Sequence, residues 1–105
     1  MMSNAVAIAP TTEEFTRQRV AYVAPLGAGS EVALTAGGLD GSETVTILYP
    51  DGDHDAIAGV LTADEPGKAF FAGIDYYATK GVTTAAVGVR AHWPDSVRVN
   101  GNAGA

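Results

Sequence analysis

Ala85-Ala86-Val87-Gly88-Val89-Arg90-Ala91-His92-Trp93 is the stretch whose reading decides the fold. Ala85, Val87, Val89, Ala91 and Trp93 occupy every second position, and Ala86, Gly88, Arg90 and His92 lie between them. Side chains of an extended chain alternate between two faces, so this period of two predicts a half-buried β-strand. Pro94 ends it, because proline cannot donate to a strand ladder. Moving outward, the pattern recurs in shorter runs. Val32, Leu34 and Ala36 share one face of Glu31 to Ala36, and Val45, Ile47 and Tyr49 share one face of Thr44 to Tyr49. Phe70, Ala72 and Ile74 do the same in Lys68 to Ile74. Ala56 to Thr62 reads as a strand around Ile57, Val60 and Leu61, with Gly59 marking a bulge. A strand or turn then passes through Tyr76 and Tyr77 to Lys80-Gly81, and Val97 and Val99 form one last short strand.

The segments between these runs carry turn chemistry: Pro25-Leu26-Gly27-Ala28-Gly29, Gly37-Gly38-Leu39-Asp40-Gly41, Pro50-Asp51-Gly52-Asp53 and Asp64-Glu65-Pro66-Gly67. Thr11-Thr12-Glu13-Glu14 has the spacing of a helix capping box. Phe15 to Val23 fits an extended strand as well, and a strand from Arg17 to Ala24 is the reading adopted. Short strands, frequent turns and no long helical period give a mainly β, single-domain barrel or sandwich. Residues 1–14, small and broken by Pro10, read as an extended N-terminal arm, and residues 15–105 as the β domain with a short extended C-terminal tail.

Composition narrows the function. A chain of 105 residues fits one domain with a modest core, which association with other copies would reinforce. The net charge of −6 repels phosphates, and the six basic residues form no stripe, which argues against nucleic acid as a partner. Without Cys there is no disulfide or thiolate chemistry. No apolar run is long enough to span a membrane, and the N-terminus lacks the charged and apolar regions of a signal peptide, which fits synthesis in a cytoplasm.

Few residues carry recognisable chemistry. Asp51, Asp53 and Asp55 alternate in the manner of oxygen ligands to a cation, but Ala56 and Thr62 stand where a calcium loop needs Gly and Glu. A solvated hairpin turn is the simpler reading, and no metal is assigned. His54 and His92 belong to no zinc motif, and no Ser lies in a nucleophile elbow. No catalytic residue and no cofactor are assigned. Trp93 closes an apolar strand face, as a core aromatic or an intersubunit contact would.

The stretch from Leu48 to Ser96 resembles the head decoration (cement) proteins of lambda-like phages, the protein D family. An Asp51-Gly52 turn precedes Ala56-Ile57-Ala58-Gly59-Val60-Leu61, similar to that family's small-residue strand. The acidic turn Thr62-Ala63-Asp64-Glu65, a Lys80-Gly81 turn and the closing Trp93-Pro94-Asp95 follow in the family's order. The match covers about half the chain. Past Trp-Pro the Gly- and Asn-rich Asp95 to Ala105 departs from the family, and Arg17 to Thr46 matches only in its strand-turn character.

The resemblance implies a β-clip-like domain and a structural virion protein on the outer surface of an expanded capsid. Its partners would be the major capsid protein and itself, as a homotrimer at three-fold sites. Val6, Ile8, Pro10 and Phe15 would belong to a capsid-binding arm that adds a strand to a capsid sheet. Arg90, His92, Trp93 and Pro94 would lie at the trimer interface or in the core. The competing reading is an immunoglobulin-like adhesion sandwich that binds a host molecule or sugar. It predicts an exposed aromatic patch of Phe70, Phe71, Tyr76 and Tyr77.

Overall fold

The structure is a computed structural model, and it describes residues 2–20 and 30–94. These form eight strands: β1 (Met2–Thr11), β2 (Phe15–Arg19), β3 (Glu31–Thr35), β4 (Thr44–Asp51), β5 (His54–Thr62), β6 (Gly67–Phe71), β7 (Tyr77–Lys80) and β8 (Val87–Pro94). They pair antiparallel into two four-stranded sheets, β1-β8-β3-β6 and β2-β7-β4-β5. The arrangement is a sandwich rather than a closed barrel, and among the described residues β1, β6, β2 and β5 are the edge strands.

The alternation predicted from sequence builds the core. Val32, Leu34, Val87, Val89 and Ala91 from one sheet face Val45, Ile47, Leu61 and Ala78 from the other, all essentially inaccessible. Fully burying each valine, leucine or isoleucine among them contributes about 1.5–3 kcal/mol. The β8 strand starts at Val87, so Ala85 lies before it, exposed. The expected strand from Lys68 to Ile74 ends at Phe71, and Ile74 packs on the core from the following turn.

Two bends in the ladders correct the sequence reading. The β4–β5 register shifts between Ile47, opposite Gly59, and Leu48, opposite Ile57. Ala58 is the extra residue, so the bulge expected at Gly59 is present. Its consequence was not foreseen. Without it Ile57 would share the inward face with Leu61; with it Ile57 turns outward and is 65% exposed. The other bend is in β2, which begins at Phe15 rather than Arg17. Its register against β7 shifts between Phe15 and Gln18, and Arg17 there has φ = 50°, the left-handed region. The part of the expected strand from residue 21 to 24, the loop at residues 25–29 and the short strand at Val97 and Val99 lie outside the described residues.

Residues 2–11, expected as an arm, are strand β1, laid on β8 from Met2 opposite Pro94 to Thr11 opposite Val87. Ile8 and Phe15 are 7% and 8% exposed and belong to the chain's own core. Their assignment to a partner-gripping arm is therefore corrected: an isoleucine and a phenylalanine bury more favourably against this sandwich than in water, and the ladder with β8 holds them there.

One buried cation joins the loops at one end. Lys80, 2% exposed, donates from Nζ to the Glu13 carbonyl at 2.7 Å, the Gly81 carbonyl at 3.0 Å and Thr83 Oγ1 at 3.1 Å. The Thr83 amide donates to the Thr12 carbonyl at 3.0 Å, so the β1–β2 and β7–β8 connections are stitched together. Glu43 does the same for the β3–β4 connection: its carboxylate accepts from the amides of Asp40 (2.9 Å) and Thr84 (2.8 Å) and from Thr84 Oγ1 (3.1 Å). The Thr84 amide, then that of Asp40, holds the Glu43 carboxyl below its ordinary value of 4.5. A depressed carboxyl stabilises the fold above the unfolded value, and that contribution disappears as pH falls through the lower folded value. Thermal unfolding from pH 7 down to 2 should therefore show a steeper acid loss in the natural chain than in Glu43→Gln.

Candidate interaction surfaces

Three surfaces collect the residues with functional potential. The first surrounds the β4–β5 turn. Gly52 has φ = 70° and Asp51 pairs with His54, so the reversal turns on Gly52 and Asp53. Positive φ at the first central residue, where only glycine is unstrained, marks a type II′ hairpin. Arg17 crosses from β2 to reach this turn. Its Nε donates to Asp55 Oδ2 at 2.7 Å and its Nη2 to Oδ1 at 3.1 Å, while the guanidinium lies 4.1 Å from the Tyr77 ring centroid. The Arg17 hydrogen bonds hold the Asp55 carboxyl below its ordinary value, and Asp55 raises the guanidinium in return.

Asp55 is thus committed to a cation that the chain itself supplies. Asp51 and Asp53 flank His54, at 3.7 and 3.3 Å from its ring nitrogens. Among the described residues no group of His, Asp and Glu side chains converges as metal ligands. The left-handed backbone at Arg17 costs about 1–2 kcal/mol in a non-glycine residue. Arg17→Gly should therefore be more stable than Arg17→Ala by about 1 kcal/mol in chemical denaturation, since both lose the same side chain.

The second surface is the free edge of β1. Its backbone pairs with β8 on one side and, among the described residues, with no strand on the other. From Met2 to Val6 the register is regular, and shifts begin only between Val6 and Ile8. β1 contains no charged residue, whereas β2 carries Arg17 and Arg19, β5 carries Asp55 and β6 carries Lys68. Pro10 is exposed, and the side chain of Val6 lies outside the described set. Arg90, opposite Val6 on β8, is exposed, and His92, opposite Asn4, is half-buried. The side chains of Trp93 and Pro94 lie outside the described set. Arg90 and His92 sit on the outer face of their sheet, away from Val89 and Ala91, so neither is a core residue.

The third surface was missed from sequence. On the side opposite β1, the sandwich gapes between its other two edge strands, β5 and β6. A groove of about 440 Å³ runs there over Tyr49, Ala58, Ala69, Phe70, Ile74 and Tyr76, with Ile57, Phe71 and Glu31 at its rim. Phe70 and Tyr76 form the floor, their rings 5.4 Å apart and tilted by 57°. The Tyr76 hydroxyl donates to the Phe71 carbonyl at 2.8 Å, which fixes the rim. Ile57 and Phe71, 65% and 64% exposed, are two of the three large apolar side chains left in water among the described residues. The bulge that turns Ile57 outward was the available signal. The aromatic patch predicted for an adhesion module is corrected: Phe70 and Tyr76 are buried, Arg17 covers Tyr77, and Phe71 alone is exposed.

Among the described residues no helix is long and apolar enough to cross a membrane. No protein-family model, curated protein or solved structure matches this chain.

Proposed function

We propose that the chain is a structural, non-enzymatic virion protein that decorates and stabilises an expanded phage head by binding the major capsid protein. The observation that carries this reading is the uncharged free edge of β1. Soluble proteins guard edge strands with charges, bulges or short length, because an exposed row of amides and carbonyls recruits further strands. Here β2, β5 and β6 carry such guards, and the segment Met2 to Val6 carries none of them. An edge left open in this way fits strand addition, in which backbone hydrogen bonds supply affinity and tolerate sequence variation in the partner. The resemblance of Leu48 to Ser96 to phage cement proteins names the partner class.

In this mechanism β1 stays docked on β8 and a capsid strand joins its outer edge, so Ile8 and Phe15 remain in the core. Each contact is small, and a trimer with three such edges at a three-fold site gains strength by multivalency. A ligand that binds only the assembled shell stabilises it by mass action. The test is to titrate decoration-free expanded heads of the cognate phage with the full chain and with Asn4→Pro, which removes an amide from the outer edge, since the hydrogen-bonded pairs with β8 are those of Ser3 and Ala5. The full chain should saturate at about three copies per three-fold axis and raise the temperature of head disruption. Asn4→Pro, folded by circular dichroism, should bind at least about tenfold more weakly. Equal binding by the two proteins, or no binding by the full chain, would overturn the reading.

A further inference from the structure

We propose that the β5–β6 groove receives residues 96–100 of a second copy of this chain, so that copies associate head to tail. The groove accepts an extended segment along the uncharged Ala69 to Phe71 part of β6, past Lys68, whose charge guards the other end of that edge. It lies between two sheet edges that pair with no further strand among the described residues, its floor is Phe70 and Tyr76, and Ile57 and Phe71 stand exposed beside it. Its one ionisable carboxylate is Glu31, which makes no ion pair among the described residues. The complementary segment is in the sequence itself. Ser96-Val97-Arg98-Val99-Asn100 offers two β-branched side chains at alternate positions and one cation between them. Alternate aliphatic side chains fill pockets along a groove while the backbone pairs with an edge, and an arginine is suited to a carboxylate at the rim.

Geometry decides between the same molecule and another one. His92 and Ala69 both lie opposite Ala33, and Phe71 lies opposite Glu31, so Pro94 ends β8 in the row of Glu31 and Phe71. A strand position beyond the free edge of β6 is three strand spacings from β8, about 14 Å. Three residues of fully extended chain from Pro94 to Val97 span at most about 11 Å, with no length left to reverse direction. Val97 therefore cannot take that strand position in its own molecule, whereas a neighbouring copy has no such constraint. Tail into groove is a heterologous contact, and such contacts close into a ring or run on as a filament. This inference does not depend on the capsid reading.

Complementation between two full-length variants tests it. Val97→Asp/Val99→Asp keeps the groove and spoils the tail. Ile57→Asp/Phe71→Asp keeps the tail and spoils the groove, at two positions already in water. By sedimentation velocity the natural chain should self-associate, and each variant alone should do so at least about tenfold more weakly. Their mixture should yield one-to-one pairs and nothing larger, because each pair has one intact contact. As a second measurement, Glu31→Arg and Arg98→Glu should each weaken association, and the two changes in one chain should restore it. A natural chain that stays monomeric up to about 1 mM overturns the proposal, as does a variant that associates like the natural chain. A mixture that does not pair, with both variants folded by circular dichroism, also overturns it. Loss of head binding with pairing intact would sink the capsid reading alone.

Discussion

Gly88→Ala should strip β1 from the sandwich and cost about 3 kcal/mol or more, an overpacking effect at the upper end of its range. A Cβ at Gly88 would overlap the carbonyl oxygen of Ile8 and stand 2.7 Å from the Pro10 nitrogen and 2.8 Å from the Ala9 carbonyl carbon. All three obstacles are backbone atoms, so no side-chain rotation gives relief. Here the register of β1 on β8 shifts between Ile8 and Thr11, and the bulged chain presses onto the one β8 residue without a side chain. Relief requires the Ile8–Pro10 backbone to lift, which also draws Ile8 out of the core. For a domain of this size the melting temperature should fall by about 12 °C or more. Limited proteolysis should cut the variant within residues 2–11 well before the natural chain. An unchanged melting temperature would mean that β1 is not seated as described.

Lys80→Ala should be the second most damaging change, at about 3 kcal/mol in chemical denaturation. The substitution removes a donor from two carbonyls and the Thr83 hydroxyl, and each buried acceptor left unpaired costs about 1–3 kcal/mol, less where water enters. It also strips the side-chain stem from beside Phe15, whose ring centroid lies 5.4 Å from Nζ. Burial, the dominant influence, lowers the Lys80 ammonium below its ordinary value of 10.5, and Glu43 offsets part of this. The sign follows: the folded chain holds this proton less tightly than the unfolded one, so Lys80 makes stability rise with pH between the lowered folded value and 10.5. Lys80→Met, which keeps the stem, should abolish that alkaline rise, and urea unfolding at several pH values reads both effects.

The alternation of β8, β3 and β4 was legible because each buries one face, and a period of two survives any arrangement of neighbours. The residues that decide the surfaces were not legible, since their orientation depends on events in another strand. Ile57 reads as core until the extra residue Ala58 is counted against Leu48 on β4. Ile8 reads as part of a loose arm because Asn4 to Pro10 is rich in alanine, and the sequence does not reveal that β8 waits to receive it. Lys80 looks like a surface turn residue, and its burial follows from two loops that only the sandwich brings together. The Asp51–Asp55 turn was correctly expected as a hairpin, but the pairing of Asp55 with Arg17 across the sheet has no local signature.

The pairing of Met2 with Pro94 has a consequence for synthesis on the ribosome. The first of the described strands docks on the last of them, so β1 has no place to settle until nearly all of the described chain has emerged. Contacts this distant in sequence form late, after the entropy of closing the whole intervening loop has been met. The uncharged segment at Met2 to Val6 therefore spends translation without its ladder partner, open on both sides to neighbouring nascent copies.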